Sequence, residues 1–318
     1  MANKKLDPST PLHGPSQEAL TIAEFRSMFL SLASDPRAYV PVLWRGPPGI
    51  GKTQVTGELA VELGLALAPL EFAHCAEEDA GGIPVRDAAT GAVVRLPIGP
   101  IAKASREPSI LYLDEVSRAN EVKQGALLTL INERRAGDFS LHPETIVVLA
   151  ANGTESTGAF KLIDAMQNRI CIIDALPTVD EVCEYLRQLG DPQSKDPFEV
   201  ALRDMAVDWA ATAERTPQLI QIVPAPGTVE NGDQWPSPRM CEKGVRSLAK
   251  LVMDQMPKRI QHKVLSGVVS ATVANAYFAV RSLRDNLPTA GEIVADPEKA
   301  KLPKTIETAV AVMALVEQ

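Results

Sequence analysis

The chain has 318 residues, 45% apolar and 23% charged, which excludes a polypeptide disordered throughout and fits about two folded domains at roughly 100–200 residues each. Forty acidic against 32 basic residues leave a net charge of −8, so nucleic acid is not expected as a direct ligand nor an anionic membrane as a partner, and 4% aromatic residues disfavour a stacking platform for single strands. The four cysteines, Cys75, Cys171, Cys183 and Cys241, form no CxxC pair, which points to reduced thiols in a cytoplasmic protein rather than a zinc site or disulfide framework.

Residues 1–17 read as a polar, proline-containing tail without the apolar core of a signal peptide. An amphipathic helix is expected over 19–33 and a short apolar strand over 40–44. A glycine-rich turn follows at once, then a helix from about 54 to 63 and a second strand over 67–72. Segment 81–97 reads as a hairpin: strands at 83–86 and 92–96 about a turn at 87–91. The runs 110–113 and 146–151 are short and continuously apolar, as strands covered on both faces of a parallel sheet should be. Between them Asn120 can cap a helix that presents Val122, Ala126, Leu130 and Ile131 on one face. A second hairpin is expected over 134–142, turning near Gly137–Asp138, and a fifth strand over 171–174. Strands alternating with helices in this way predict a doubly wound α/β domain over 18–176.

The pattern changes near residue 177. Thr178 and Glu181 form a capping box, and helical periodicity recurs at 198–213, 241–253, 263–283 and 304–316. The run 264–283, with Leu265, Val268, Val269, Ala276, Val280 and Leu283 near helical spacing, reads as one buried helix rather than a membrane span. Residues 223–238, rich in proline and glycine, read as a long loop. A mostly helical second domain over 177–318 is the expectation.

Gly46, Pro47, Pro48, Gly49, Ile50, Gly51, Lys52 and Thr53 match G-x-x-x-x-G-K-[ST] between an expected strand and an expected helix. Backbone N–H groups from Gly49 through Gln54 would wrap phosphate oxygens at the positive end of the helix, Lys52 would reach the β- and γ-phosphates, and Thr53 would offer its hydroxyl to Mg²⁺. The strand 110–113 ends in Asp114 and Glu115, at the sheet edge where α/β proteins bind ligands. Asp114 suits the magnesium shell, and Glu115 suits orientation or deprotonation of an attacking water. Asn152, at the end of the strand 146–151, would position that water. Four scattered histidines, His13, His74, His142 and His262, suggest no metal site beyond nucleotide-bound magnesium.

The order Gly46–Thr53, Asp114–Glu115, Asn152, Arg169 and then Arg239 in a helical domain resembles an AAA+ ATPase, and more narrowly the MoxR group. The segments Leu113-Asp-Glu-Val-Ser-Arg-Ala-Asn, Asp164-Ala-Met-Gln-Asn-Arg-Ile170 and Ser237-Pro-Arg239 echo that group's motifs, and the likeness covers about residues 22–253. Gly153 stands where the group often has proline, Ile170 where it usually has phenylalanine, and the loop 223–235 is longer; no catalytic group is lost. The resemblance implies an AAA+ core with a helical lid, ATP and Mg²⁺ as cofactors, Asn152 as the first sensor, Arg239 as the second, and Arg169 as an arginine finger for the neighbouring subunit. Arg118 and Arg134 are weaker candidates for subunit contacts. It also implies a homo-oligomeric, hexameric ring whose two hairpins face a protein client, working with a von Willebrand factor A domain partner. A nucleic-acid-associated motor or loader and a chelatase-type motor subunit are the alternative readings.

Overall fold

The computed structural model describes residues 19–35, 37–74, 81–152, 162–224, 227–228 and 231–285. The chain divides into two compact units, split between Glu181 and Val182.

The first unit opens with α1 (Ile22–Ala33). Thr21 and Glu24 close a reciprocal capping box at its start, a device worth about 1 kcal/mol. Phe25 and Phe29 on its inner face are buried, and the Phe25 ring lies 4.3 Å from that of Trp44 on β1 (Val42–Arg45). After β1 come α2 (Lys52–Glu62), β2 (Ala66–Glu71), the hairpin β3 (Ile83–Arg86) and β4 (Val93–Leu96), α3 (Gly99–Arg106) and β5 (Ser109–Asp114). Then follow α4 (Glu121–Asn132), the short hairpin β6 (Arg135–Ala136) and β7 (Phe139–Ser140), β8 (Ile146–Ala151), α5 (Asp164–Gln167) and β9 (Cys171–Asp174).

Five strands form one parallel sheet in the order β2-β5-β8-β1-β9. The central strands β5 and β8 are buried along nearly their whole length, which is why they read as unbroken apolar runs. The chain leaves β1 toward β2, returns through β5 and β8, and crosses β1 to reach β9. The crevice beside the β1 terminus is therefore the place where ligands bind in such sheets.

The two hairpins are joined to each other. Arg95 N donates to Asp138 Oδ2 at 2.6 Å, and Asp138 N donates to Arg95 O at 3.3 Å. Gly137, at φ +60°, sits so close that a Cβ there would lie 2.7 Å from both Arg95 Cβ and Arg95 O.

The second unit is helical. The helix α6 (Val179–Arg187), opened by the Thr178–Glu181 capping box, runs across the division. Beyond it α7 (Pro197–Arg215), α8 (Pro238–Met253), α9 (Lys258–Val269) and α10 (Ala271–Asp285) pack together. Trp209 and Tyr277 stack at 4.7 Å in its core, and the Tyr277 hydroxyl donates to the buried Asp208 carboxylate. No described helix is long and apolar enough to cross a membrane.

Two expectations are corrected. The single helix over 264–283 is two, broken at Ser270, whose φ is +100°. Ser270 ends α9 and caps α10, its Oγ accepting from Val273 N at 3.4 Å. Leu265 and Val269 are buried, but Val264 is exposed. On α4 the buried face is Gln124, Leu127, Leu130 and Ile131, while Val122 is 64% exposed. Gln124 goes inside because its amide is matched there: Nε2 donates to Ala119 O and Oε1 accepts from Ile163 N, each at 2.9 Å. The expected helix at 304–316 lies outside the described residues, as does Cys75; Cys171, Cys183 and Cys241 are free thiols.

Candidate nucleotide-binding site

The loop 46–51 turns from the end of β1 into α2. Gly49 and Gly51 take left-handed φ values of +85° and +92°, a region that glycine reaches without steric cost. Gly51 is the N-cap of α2 and has no side chain to cap it, so the first amides of the helix stay directed at the loop. That arrangement, with the positive end of the helix dipole, suits phosphate.

Lys52 is 7% exposed, and its Nζ donates to Gly46 O (2.7 Å), Pro47 O (3.1 Å) and Asn152 Oδ1 (3.1 Å). Asn152 follows β8, which pairs with β1 in the register Arg45↔Ala151, so loop and asparagine meet as neighbours across the sheet. Gly46 N closes the same seam by donating to Ala151 O at 3.1 Å. Thr53 Oγ1 lies 3.3 Å from Asp114 Oδ2 and 3.3 Å from the Tyr112 hydroxyl. Hard oxygen donors of this kind fit a divalent cation such as Mg²⁺. Pro48 is exposed and Ile50 buried, while the Gln54 amide donates to Glu58 one turn along α2 at 3.2 Å.

Asp114 Oδ1 accepts from Glu115 N at 2.8 Å. Glu115 itself has φ +55° and ψ +34°, a left-handed conformation that costs a non-glycine residue about 1–3 kcal/mol. Its Oε2 is buried without an aligned hydrogen bond, although Arg118 Nη1 pairs with it electrostatically at 3.3 Å. Glu71 and His74, from the end of β2, bring ligand atoms within 4.8 Å of those of Glu115, and His74 Nδ1 lies 3.0 Å from Glu71 Oε1. Sequence spacing gives no sign of this grouping, because Glu115 arrives from the adjacent strand. At the other side of β1, Asp174 pairs with Arg45 through two 2.5 Å hydrogen bonds and raises the guanidinium pKa further.

Arg169 is exposed just after α5, where its Nη1 donates to Ala165 O at 2.5 Å. Arg239 is exposed in the first turn of α8, in the second unit. Among the described residues it makes no ion pair, and a cation there opposes the helix dipole. Arg134, the other candidate for subunit contacts, is half-buried within its own unit. Its Nη2 donates to the carbonyls of His142, Pro143 and Thr145, so it anchors its own hairpin, and burial lowers its pKa.

Residues 41–170 match the AAA domain family, dynein-related subfamily. The chain is 35% identical over 97 residues to the protein NorQ of Paracoccus denitrificans (strain Pd 1222), and 27% identical over 144 residues to the uncharacterized protein YojN of Bacillus subtilis (strain 168). These alignments take in 30% and 42% of this chain and 35% and 46% of the relatives, so the chain spans less than half the length of either. Among solved structures, a RuvB mutant of Thermotoga maritima aligns with a TM-score of 0.47 at 16% identity, over 86% of this chain and 74% of that one. The family match falls on the very segment that carries the phosphate loop, the paired acids and Asn152: residues 41–170 are an AAA domain, and the matches together support a MoxR-type AAA+ ATPase.

Proposed function

We propose that this chain is a Mg²⁺-dependent ATP hydrolase that assembles into a ring, hexameric by resemblance to its group, and remodels or activates a protein client. The reading rests on one observation above the others: Lys52 and Thr53 of the loop after β1 touch Asn152 after β8 and Asp114 at the end of β5. Three strand ends thus converge at one edge of the sheet.

In this reading the loop amides and Lys52 hold the triphosphate. Thr53 and Asp114 hold the magnesium, which when bound neutralises charge on the β- and γ-phosphates. Glu115 takes the proton of the attacking water, and Asn152 orients that water. Arg169 serves the adjacent subunit's site, where such a charge is worth roughly 10³–10⁵ in rate. Arg239 reports nucleotide state through the helical unit, and the latched hairpins carry the change to the client. A von Willebrand factor A domain protein is the partner proposed to recruit that client.

The test is light scattering of the full chain with ATP and Mg²⁺, alongside the Glu115→Gln variant. The variant should hold ATP and persist as a ring. A chain that stays monomeric at all nucleotide conditions would remove the trans-acting Arg169 and the ring with it.

A further inference from the structure

Tyr112 carries a hydroxyl within the apolar run 110–113. It is fully buried on β5, two residues before Asp114, and alternation along a strand puts both side chains on the same sheet face. Its hydroxyl lies 3.3 Å from Thr53 Oγ1, which in turn lies 3.3 Å from Asp114 Oδ2. A threonine hydroxyl has one proton and two lone pairs, so it can donate to only one of these neighbours. The carboxylate is the stronger acceptor. When Thr53 gives its proton to Asp114, the 3.3 Å contact with Tyr112 can be a hydrogen bond only with the phenol as its donor.

We propose that Tyr112 is a positioning residue for the metal-binding hydroxyl of Thr53. By occupying one lone pair of Thr53 Oγ1 while Asp114 takes the proton, it leaves the second lone pair fixed in direction for a divalent cation. The inference rests on the reading of this site as one for magnesium nucleotide. It predicts a residue that changes metal-dependent binding without touching the nucleotide.

The experiment compares full-length wild type with Tyr112→Phe, which fills the same volume without the hydroxyl. A fluorescent ATP analogue is titrated in EDTA and again in Mg²⁺, and Mn²⁺ uptake in the presence of ADP is followed by electron paramagnetic resonance. Tyr112→Phe should bind nucleotide normally in EDTA and lose roughly tenfold of the metal-dependent tightening, the scale of one hydrogen bond to a charged site. Thr53→Ser, whose unbranched side chain rotates more freely, should depend on Tyr112 more strongly, so that the double variant loses more than the two single changes combined. Identical metal dependence in Tyr112→Phe and wild type overturns the proposal, as does an equal loss with and without metal. Wild type binding nucleotide with no metal dependence at all would instead sink the site reading beneath it.

Discussion

Lys52 Nζ donates to Asn152 Oδ1 across 3.1 Å, joining the phosphate loop to the strand that separates it from the acids. Asn152 is 7% exposed, so its amide is held where it can serve both the loop and a ligand beside it. Asn152→Ala should leave ATP affinity within about threefold and lower turnover by about 10²-fold, the usual cost of one positioned polar group. Nucleotide titration and phosphate release check this; unchanged turnover would take Asn152 out of the mechanism.

Arg169 is exposed, and among the described residues it is held only by a carbonyl of its own turn. Arg169→Ala alone should lose roughly 10³-fold or more in turnover. Mixing it with Glu115→Gln chains, which keep Arg169 intact, should restore activity at the mixed interfaces. An absence of rescue at every mixing ratio would contradict action between subunits.

Gly137 allows the two hairpins to meet, because any side chain there would strike the Arg95 backbone at a positive φ. Gly137→Ala should destabilise this part of the first unit by about 1–3 kcal/mol. Hydrogen exchange should quicken in β3 and β4 as well as in β6 and β7. A change confined to β6 and β7 would mean that the hairpins are independent.

Cys241 is fully buried, and burial raises its thiol pKa well above the ordinary value. The unfolded thiol ionises near pH 8.5 while the folded one keeps its proton, so its contribution is whole below about pH 8.5 and fades as pH rises further. The melting temperature of wild type should therefore fall more steeply above that pH than that of Cys241→Ala. Parallel slopes would contradict the assignment.

Much of this architecture is legible in the chain. β5 and β8 are buried on both faces and so carry unbroken apolar runs, and Gly49 and Gly51 stand where the loop demands left-handed backbone. Both hairpins announce themselves through their turn residues. What escapes a linear reading depends on tertiary neighbours. The break at Ser270 lies inside a continuous helical pattern, and Gln124 replaces Val122 in the core only because Ala119 and Ile163 supply partners. Tyr112 looks like one more strand residue until Thr53 is brought beside it from α2. Arg134 resembles any surface arginine, yet its three carbonyl partners lie within its own hairpin and the turn after it.

The most direct test of the central claim is phosphate release from ATP and Mg²⁺ by wild type and by Glu115→Gln, with ATP binding measured on the same samples. The account predicts turnover in wild type, a fall of at least about 10²-fold in the variant, and retained ATP binding in both. Equal turnover in the two proteins, or no ATP binding by wild type, would contradict it.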